Sequence, residues 1–208
     1  GFYSGWDVQT PDELIGFFFD LLVERATAAA EGNGDEFPVH ITPAGHDLNQ
    51  LVNKTLICGV VFSQVADDYL DEGLKKYNVA SYKGTKGYTA VQHAWDEGFG
   101  YYGAPRAFNA FTDDEIKAGT YDWNGDGNID LNSEWAPGTG GAVAGAKRDL
   151  GSTTGTTFND DAYANLFAGR AWLNDDTNFI TDEDGKFDAD SLAAIQGVAK
   201  GVVDNYEK

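Results

Sequence analysis

The sequence predicts an all-α fold: a helical bundle with long irregular connections and one calcium-binding loop. Amphipathic segments, with apolar residues three and four positions apart, recur along most of the chain. No sustained period-two run of β-branched residues indicates a strand, and no repeat of fixed length indicates a solenoid. We therefore expect one helical domain over residues 1–208, with residues 121–135 as an inserted calcium loop. The helical pattern continues to Lys208, which suggests that further residues complete the domain.

The N-terminal part of the chain contains the two longest helical patterns. Thr10, Pro11 and Glu13 have the residue types and spacing of a capping box, which predicts that the first helix begins there. Pro38, after a glycine-containing stretch, prevents that helix from continuing. A second helix is predicted from Asp47 to Tyr77, because apolar residues keep a helical spacing through that range.

Shorter helical patterns follow in the rest of the chain. A third helix is predicted from Tyr88 to Tyr102, where glycine and proline then interrupt the pattern. Thr112 and Glu115 form a second capping box and predict a short helix. Three further helical segments are expected, within residues 138–150, 159–173 and 188–208.

The charge of the chain excludes one broad class of partner. Among 208 residues, 34 are acidic and 14 are basic, which gives a formal net charge of -20. Such a surface repels phosphate backbones and no Lys/Arg stripe is found, so we expect no nucleic-acid partner. No apolar run is long enough to span a membrane. The single cysteine, Cys58, excludes an internal disulfide.

The segment "YDWNGDGNIDLNSEW", residues 121–135, has the pattern of a calcium loop. Gly127 stands at position 6 and permits the sharp turn, and Ile129 at position 8 is expected to pack inward. Position 12 is Ser133 instead of the usual bidentate Glu, and we predict that Glu134 reaches in from position 13. The alternative is a solvated turn rich in Asp and Asn. The other predicted calcium ligands are Asp122, Asn124, Asp126, Asn128 and Asp130.

The surroundings of this loop favour a structural clamp over a calcium sensor. A sensor needs a helix on each side that can open on binding. Here the preceding helix ends near Gly119, and the next begins only after Pro137 and a run of glycines. A second acidic segment, residues 181–191, would place Ile180 at position 1 of such a loop, and we interpret it as a turn followed by a helix cap.

His93 and Glu97 form a second candidate site. They lie four residues apart on one helical face, with Asp96 beside them. Imidazole and carboxylate groups at that spacing can hold zinc or iron. The alternative is a buried histidine that Glu97 orients through a hydrogen bond.

Four ordered motifs, "HAWDEGFGYYG", "YDWNGDGNIDLNSEW", "AKRDL" and "LFAGRAWL", together resemble an imelysin-like domain of unknown function found in bacterial exported proteins and lipoproteins. The resemblance covers about Tyr88 to Trp172. It implies an all-helical bundle, an extracytoplasmic location in the periplasm or at the cell surface, and a link to the uptake of iron or other metals. It also implies a lipid anchor through a segment outside these residues.

The chain departs from the Gly-x-His-x-x-Glu motif that groups imelysins with metallopeptidases. Val91 stands two residues before His93, where that motif has Gly, and the residue three after His93 is Asp96. These departures argue against peptidase activity.

The sequence supports three hypotheses about function. The first is a non-catalytic, extracytoplasmic calcium-binding domain that binds a ligand, a metal or a partner protein within a cell-surface assembly. The second is a protein that handles iron or zinc, or a metallohydrolase, using His93 and Glu97. The third is a structural subunit of a larger complex. The sequence contains no complete catalytic constellation, which favours the first hypothesis.

Overall fold

The computed structural model describes residues 6–79 and 82–207, without the side chain of Cys58. These residues form α-helices and contain three isolated antiparallel bridges but no β-strand, which confirms the all-α prediction. The chain divides into two compact units, and the boundary lies between Val60 and Val61. The prediction of one continuous domain stays a prediction. The helices are α1 Pro11–Ala30, α2 Leu48–Leu56, α3 Ala90–Tyr102, α4 Asp113–Ala118, α5 Gly141–Gly151, α6 Phe158–Trp172 and α7 Ala189–Tyr206.

The first unit is built on α1 and α2. The predicted capping box is confirmed, since the Thr10 hydroxyl accepts from the Glu13 N–H and the Glu13 carboxylate accepts from the Thr10 N–H. A small apolar core of Leu14, Phe18 and Leu48 holds the two helices together. These three side chains are at most 6% exposed, so their burial stabilises the unit through the hydrophobic effect.

The predicted long helix from Asp47 to Tyr77 is wrong in its second half. The α-helix ends at Leu56 and continues as two π-helical segments, Ile57–Phe62 and Gln64–Tyr69, followed by a 3-10 turn. Apolar spacing marks a buried helical face, but it does not distinguish the wider π turn from the α turn. Close packing constrains the end of this segment, because a Cβ on Gly73 would lie 2.7 Å from the Cβ of Ala94 in α3.

The remaining predicted helices are confirmed, with boundaries shifted by a few residues. Side-chain capping explains three of the helix starts. The Thr89 hydroxyl accepts from the Gln92 N–H at the start of α3, and Thr112 with Glu115 forms the predicted box before α4. Asp188 caps α7 by accepting from the Ser191 N–H. Each of these bonds satisfies a backbone donor that the helix itself leaves without a partner.

Trp95 lies at the centre of the second unit. Its ring is fully buried, and its indole N–H donates to the carbonyl of Leu166 in α6 over 2.8 Å. Gly169 permits this packing, because a Cβ there would lie 2.0 Å from the ring. The core continues through Tyr102 of α3 and Ile195 of α7. Side chains of α3, α6 and α7 therefore share one buried core.

Candidate metal centre

The acidic loop begins directly after α4. Gly119 ends that helix in a left-handed conformation, with φ of 89°. The two ends of the loop then pair, because the Tyr121 N–H donates to Glu134 O (3.2 Å) and the Ala136 N–H donates to Gly119 O (2.8 Å). This short antiparallel ladder closes the loop at its base and gives residues 121–135 a defined start and end.

Asp122 organises the first half of the loop. Its Oδ1 accepts from the N–H groups of Gly125 and Asp126 at 2.8 and 3.1 Å, and its Oδ2 accepts from the Gly127 N–H at 2.8 Å. Gly125 and Gly127 have φ of 72° and 81°, which residues with a Cβ rarely adopt. The backbone therefore turns around a single carboxylate, which explains why glycine is needed at these two positions.

Three of the other predicted ligands, Asn124, Asp126 and Asp130, continue the same pattern along the loop. Asn124 Oδ1 accepts from the Asp126 N–H (2.9 Å), and Asp126 Oδ1 accepts from the Asn128 N–H (2.8 Å). Asp130 Oδ1 accepts from the Asn132 N–H over 2.7 Å, and this hydrogen bond is the main reason that the pKa of Asp130 is lowered. Each side chain is thus held close to the backbone of the turn that follows it.

Glu134 differs from the other acidic residues of the loop because it is buried. It is 1% exposed, and its Oε2 accepts from the Asp130 N–H over 2.9 Å. Its Oε1 has no hydrogen-bond partner among the described residues. A buried carboxylate oxygen without a partner is costly, and a bound cation is one of the few ways to compensate it.

Two features of the loop differ from a preformed calcium site. Within residues 6–79 and 82–207, no three His, Cys, Asp or Glu side chains lie close enough together to hold a metal ion. The loop oxygens would have to move together on binding. Ile129 is 41% exposed, so the expectation that it packs inward is wrong. The loop is closed by its own ladder, and α5 starts too late, at Gly141, to cover this side chain.

The structure keeps His93 and Glu97 together and pairs Asp96 with a residue of another helix. His93 Nε2 and Glu97 Oε1 are 3.4 Å apart, and both side chains are about a third exposed. Asp96 instead forms an ion pair with Arg170 of α6, with 2.7 Å between Oδ1 and Nε. Because Asp96 is already paired, it is poorly placed to join the other two as a metal ligand. The prediction of a metal or ligand site at His93 and Glu97 stays a prediction.

Sequence reasoning missed the aromatic surroundings of His93. The rings of Tyr82 and Tyr88 lie with their centroids 4.8 and 5.5 Å from that of His93. Glu97 lies near Tyr69, whose pKa is raised by burial and by this carboxylate. The only sequence signal was the high tyrosine content between residues 69 and 102, which does not by itself show that the rings converge.

The second acidic segment forms the predicted turn and helix cap. Asp182 Oδ1 accepts from the N–H groups of Asp184 and Lys186, at 3.0 and 2.9 Å. Gly185 has a positive φ of 76°, and Asp188 caps α7. Ile180, at position 1 of the loop register, is 67% exposed and offers no side-chain oxygen.

Comparison with known proteins gives one match. Residues 24–120 match the model of a family described as a domain of unknown function, DUF4856. The match covers slightly less than half of the chain and ends one residue before the acidic loop. No curated protein matches the chain. No solved structure matches it either.

Proposed function

We propose that this protein is a non-catalytic, extracytoplasmic domain in which calcium binds to residues 121–135 and fixes the connection between α4 and α5. The observation that supports this most is the buried Glu134 carboxylate, whose Oε1 has no partner among the described residues. Oε1 lies on the residue that closes the loop. A cation held there would compensate the charge and would tie both ends of the loop together.

Calcium suits this set of oxygens better than magnesium does. Calcium accepts six to eight oxygen ligands in a flexible arrangement, whereas magnesium needs a near-ideal octahedron and keeps several waters. Asn128 would contribute its backbone carbonyl, and Glu134 would replace the Glu that is missing from position 12. The proposed ligands are Asp122, Asn124, Asp126, Asn128, Asp130 and Glu134.

The helices beside the loop support a clamp over a sensor. The preceding helix, α4, has only six residues, and the following helix starts at Gly141, six residues beyond the end of the loop at Trp135. Two helices that could open like those of a sensor therefore do not flank the loop. The expected effect of calcium is a more stable second unit.

Isothermal titration calorimetry with calcium tests this proposal. We expect one calcium ion to bind to the unmodified protein, and we expect Glu134→Gln to weaken binding strongly, because the amide removes a charged ligand without changing the shape of the side chain. The matched control is Glu183→Gln, an exposed Glu in the second acidic segment. Glu183→Gln should bind calcium as the unmodified protein does. Absence of calcium binding to the unmodified protein, or equal loss in both variants, contradicts the proposal.

We propose that the calcium-binding domain binds a ligand, a metal or a partner protein within a cell-surface assembly. The imelysin-like relationship, the address in the periplasm or at the cell surface and the lipid anchor all rest on the resemblance of four motifs. Among the described residues, no helix is both long and apolar enough to cross a membrane. A structural role as a subunit of a larger complex is the third hypothesis, and native mass spectrometry tests it.

Iron or zinc handling by His93 and Glu97 is the alternative function. Their 3.4 Å separation is short enough for a charge pair as well as for two ligands of one metal. Metal analysis of protein purified without added metal distinguishes a metal site from a simple contact between the two side chains. A metal site should retain zinc or iron, and the His93→Ala variant should lose it.

A further inference from the structure

The second unit contains an aromatic groove that the calcium proposal does not use. The groove has a volume of about 600 Å³ and lies between α6 and the 3-10 turn Phe108–Ala110. This volume is within the range of sites that bind small molecules. The groove is defined by Phe108, Asn109, Phe111, Asp160, Tyr163, Ala164, Phe167 and Ala168.

The walls of this aromatic groove are fixed by contacts behind them. The Tyr163 ring stacks on Phe108 at a centroid distance of 4.3 Å and an interplanar angle of 14°. The Tyr163 hydroxyl donates to Arg106 O over 3.3 Å, and Phe111 packs edge-on against Tyr121 with centroids 5.3 Å apart. A ligand would therefore meet a preformed surface and would not need to order these rings.

One ring of the groove remains open to solvent. Phe167 is 67% exposed, although it lies one helical turn from Tyr163 and nearly parallel to it, at an interplanar angle of 21°. An exposed aromatic ring beside a concave surface offers its face to a ligand. Such faces attract cations and flat groups because the ring is electron-rich above and below its plane.

The negative charge of the groove favours a cationic ligand. Asp160 is the charged residue that lines it, and its carboxylate makes no hydrogen bond or ion pair with the described residues. No Lys, Arg or His is among the described lining residues. Burial raises the pKa of the nearby Asp113, and the charges of Asp149 and Asp160 raise it further. The region around the groove thus has a surplus of negative charge that a cation would balance.

We propose that this groove binds a small organic cation with a planar guanidinium group, which stacks on Phe167 and pairs with Asp160. Guanidinium groups combine stacking on aromatic faces with two-pronged hydrogen bonding to a carboxylate, and they are weakly hydrated. An ammonium ion would use the same charge but would lose the flat stacking contact. Neutral saccharides would use the ring but leave the carboxylate without its counter-charge.

Titration with butylguanidine, followed by changes in amide chemical shifts, tests this inference on the full chain. Butylurea is the matched neutral ligand, because it has the same shape without the charge. We expect butylguanidine to shift residues of the groove and butylurea to bind at least about fivefold more weakly. Phe167→Ala should weaken butylguanidine binding about fivefold, and so should Asp160→Asn.

Two controls separate the groove from general effects. Asp161→Asn makes the same charge change one residue away from Asp160 but outside the lining of the groove, and Phe19→Ala removes an exposed ring of α1. Both control variants should bind butylguanidine as the unmodified protein does. Equal binding of butylurea, shifts outside the groove, or equal weakening by Asp161→Asn would overturn the inference. Binding of an arginine-containing tripeptide without binding of butylguanidine would also overturn it, because the groove would then take a peptide.

Discussion

Trp95→Ala is expected to lower the free energy of unfolding by about 3–5 kcal/mol. The substitution removes a fully buried ring from the place where α3 meets α6. It also leaves the carbonyl of Leu166 without the indole N–H that donates to it. A cavity lined by rigid helices collapses only in part, so the cost includes lost contacts as well as lost burial. Urea denaturation followed by far-ultraviolet circular dichroism measures the change.

Trp123→Ala is the matched control for this prediction. Trp123 is 48% exposed in the acidic loop, so its loss should change the free energy of unfolding by no more than about 0.5 kcal/mol. Gly169→Ala provides a smaller perturbation of the same contact, since its Cβ would lie 2.0 Å from the Trp95 ring. We expect it to cost about 1–3 kcal/mol. If Trp95→Ala and Trp123→Ala have equal effects, the proposed centre of the second unit is wrong.

Calcium is expected to raise the free energy of unfolding by about 2.7 kcal/mol when its concentration is a hundred times the Kd. The physical reason is that calcium binds the folded loop and not the unfolded chain. For a chain of this size, that increase corresponds to a rise in Tm of roughly 5–10 °C. Thermal melts in calcium and in chelator measure the difference, and magnesium at the same concentration should give a much smaller one.

Glu134→Gln makes this prediction specific, because the variant should be less stable than the unmodified protein only when calcium is present. In chelator, the variant should be at least as stable as the unmodified protein. The substitution removes the charge of a buried carboxylate, and Oε1 of that carboxylate has no partner among the described residues. In calcium, the variant should be less stable, because a charged ligand is lost. A variant that is destabilised equally in both conditions would show that Glu134 acts only through packing.

Helix positions were predictable from the sequence because capping and apolar spacing are local. Thr10 with Glu13 and Thr112 with Glu115 place two helix starts correctly, since a capping box is a contact between residues three apart. The course of residues 57–75 was not predictable in the same way. Apolar spacing does not mark the change to π turns, and the close approach of Gly73 to Ala94 joins residues that are distant in sequence.

The candidate site shows the same division between local and distant contacts. The turns that Asp122 and its neighbours form were predictable, because each hydrogen bond spans at most five residues. The ion pair between Asp96 and Arg170 was not, because the two residues are 74 positions apart. The aromatic groove was not predicted for the same reason, because Phe108 and Tyr163 come together only when α6 packs against the rest of the unit. The burial of Glu134 likewise depends on the folded environment of the loop.

A crystal structure of the protein grown with calcium would show directly whether residues 121–135 bind the ion. We expect one ion in this loop, coordinated by oxygens at about 2.3–2.6 Å. Oε1 of Glu134 should be among those oxygens, together with side-chain oxygens of Asp122, Asn124 and Asp126. Anomalous scattering identifies the ion. A loop without an ion at saturating calcium, or an ion that does not contact Glu134, would rule out the proposed calcium clamp.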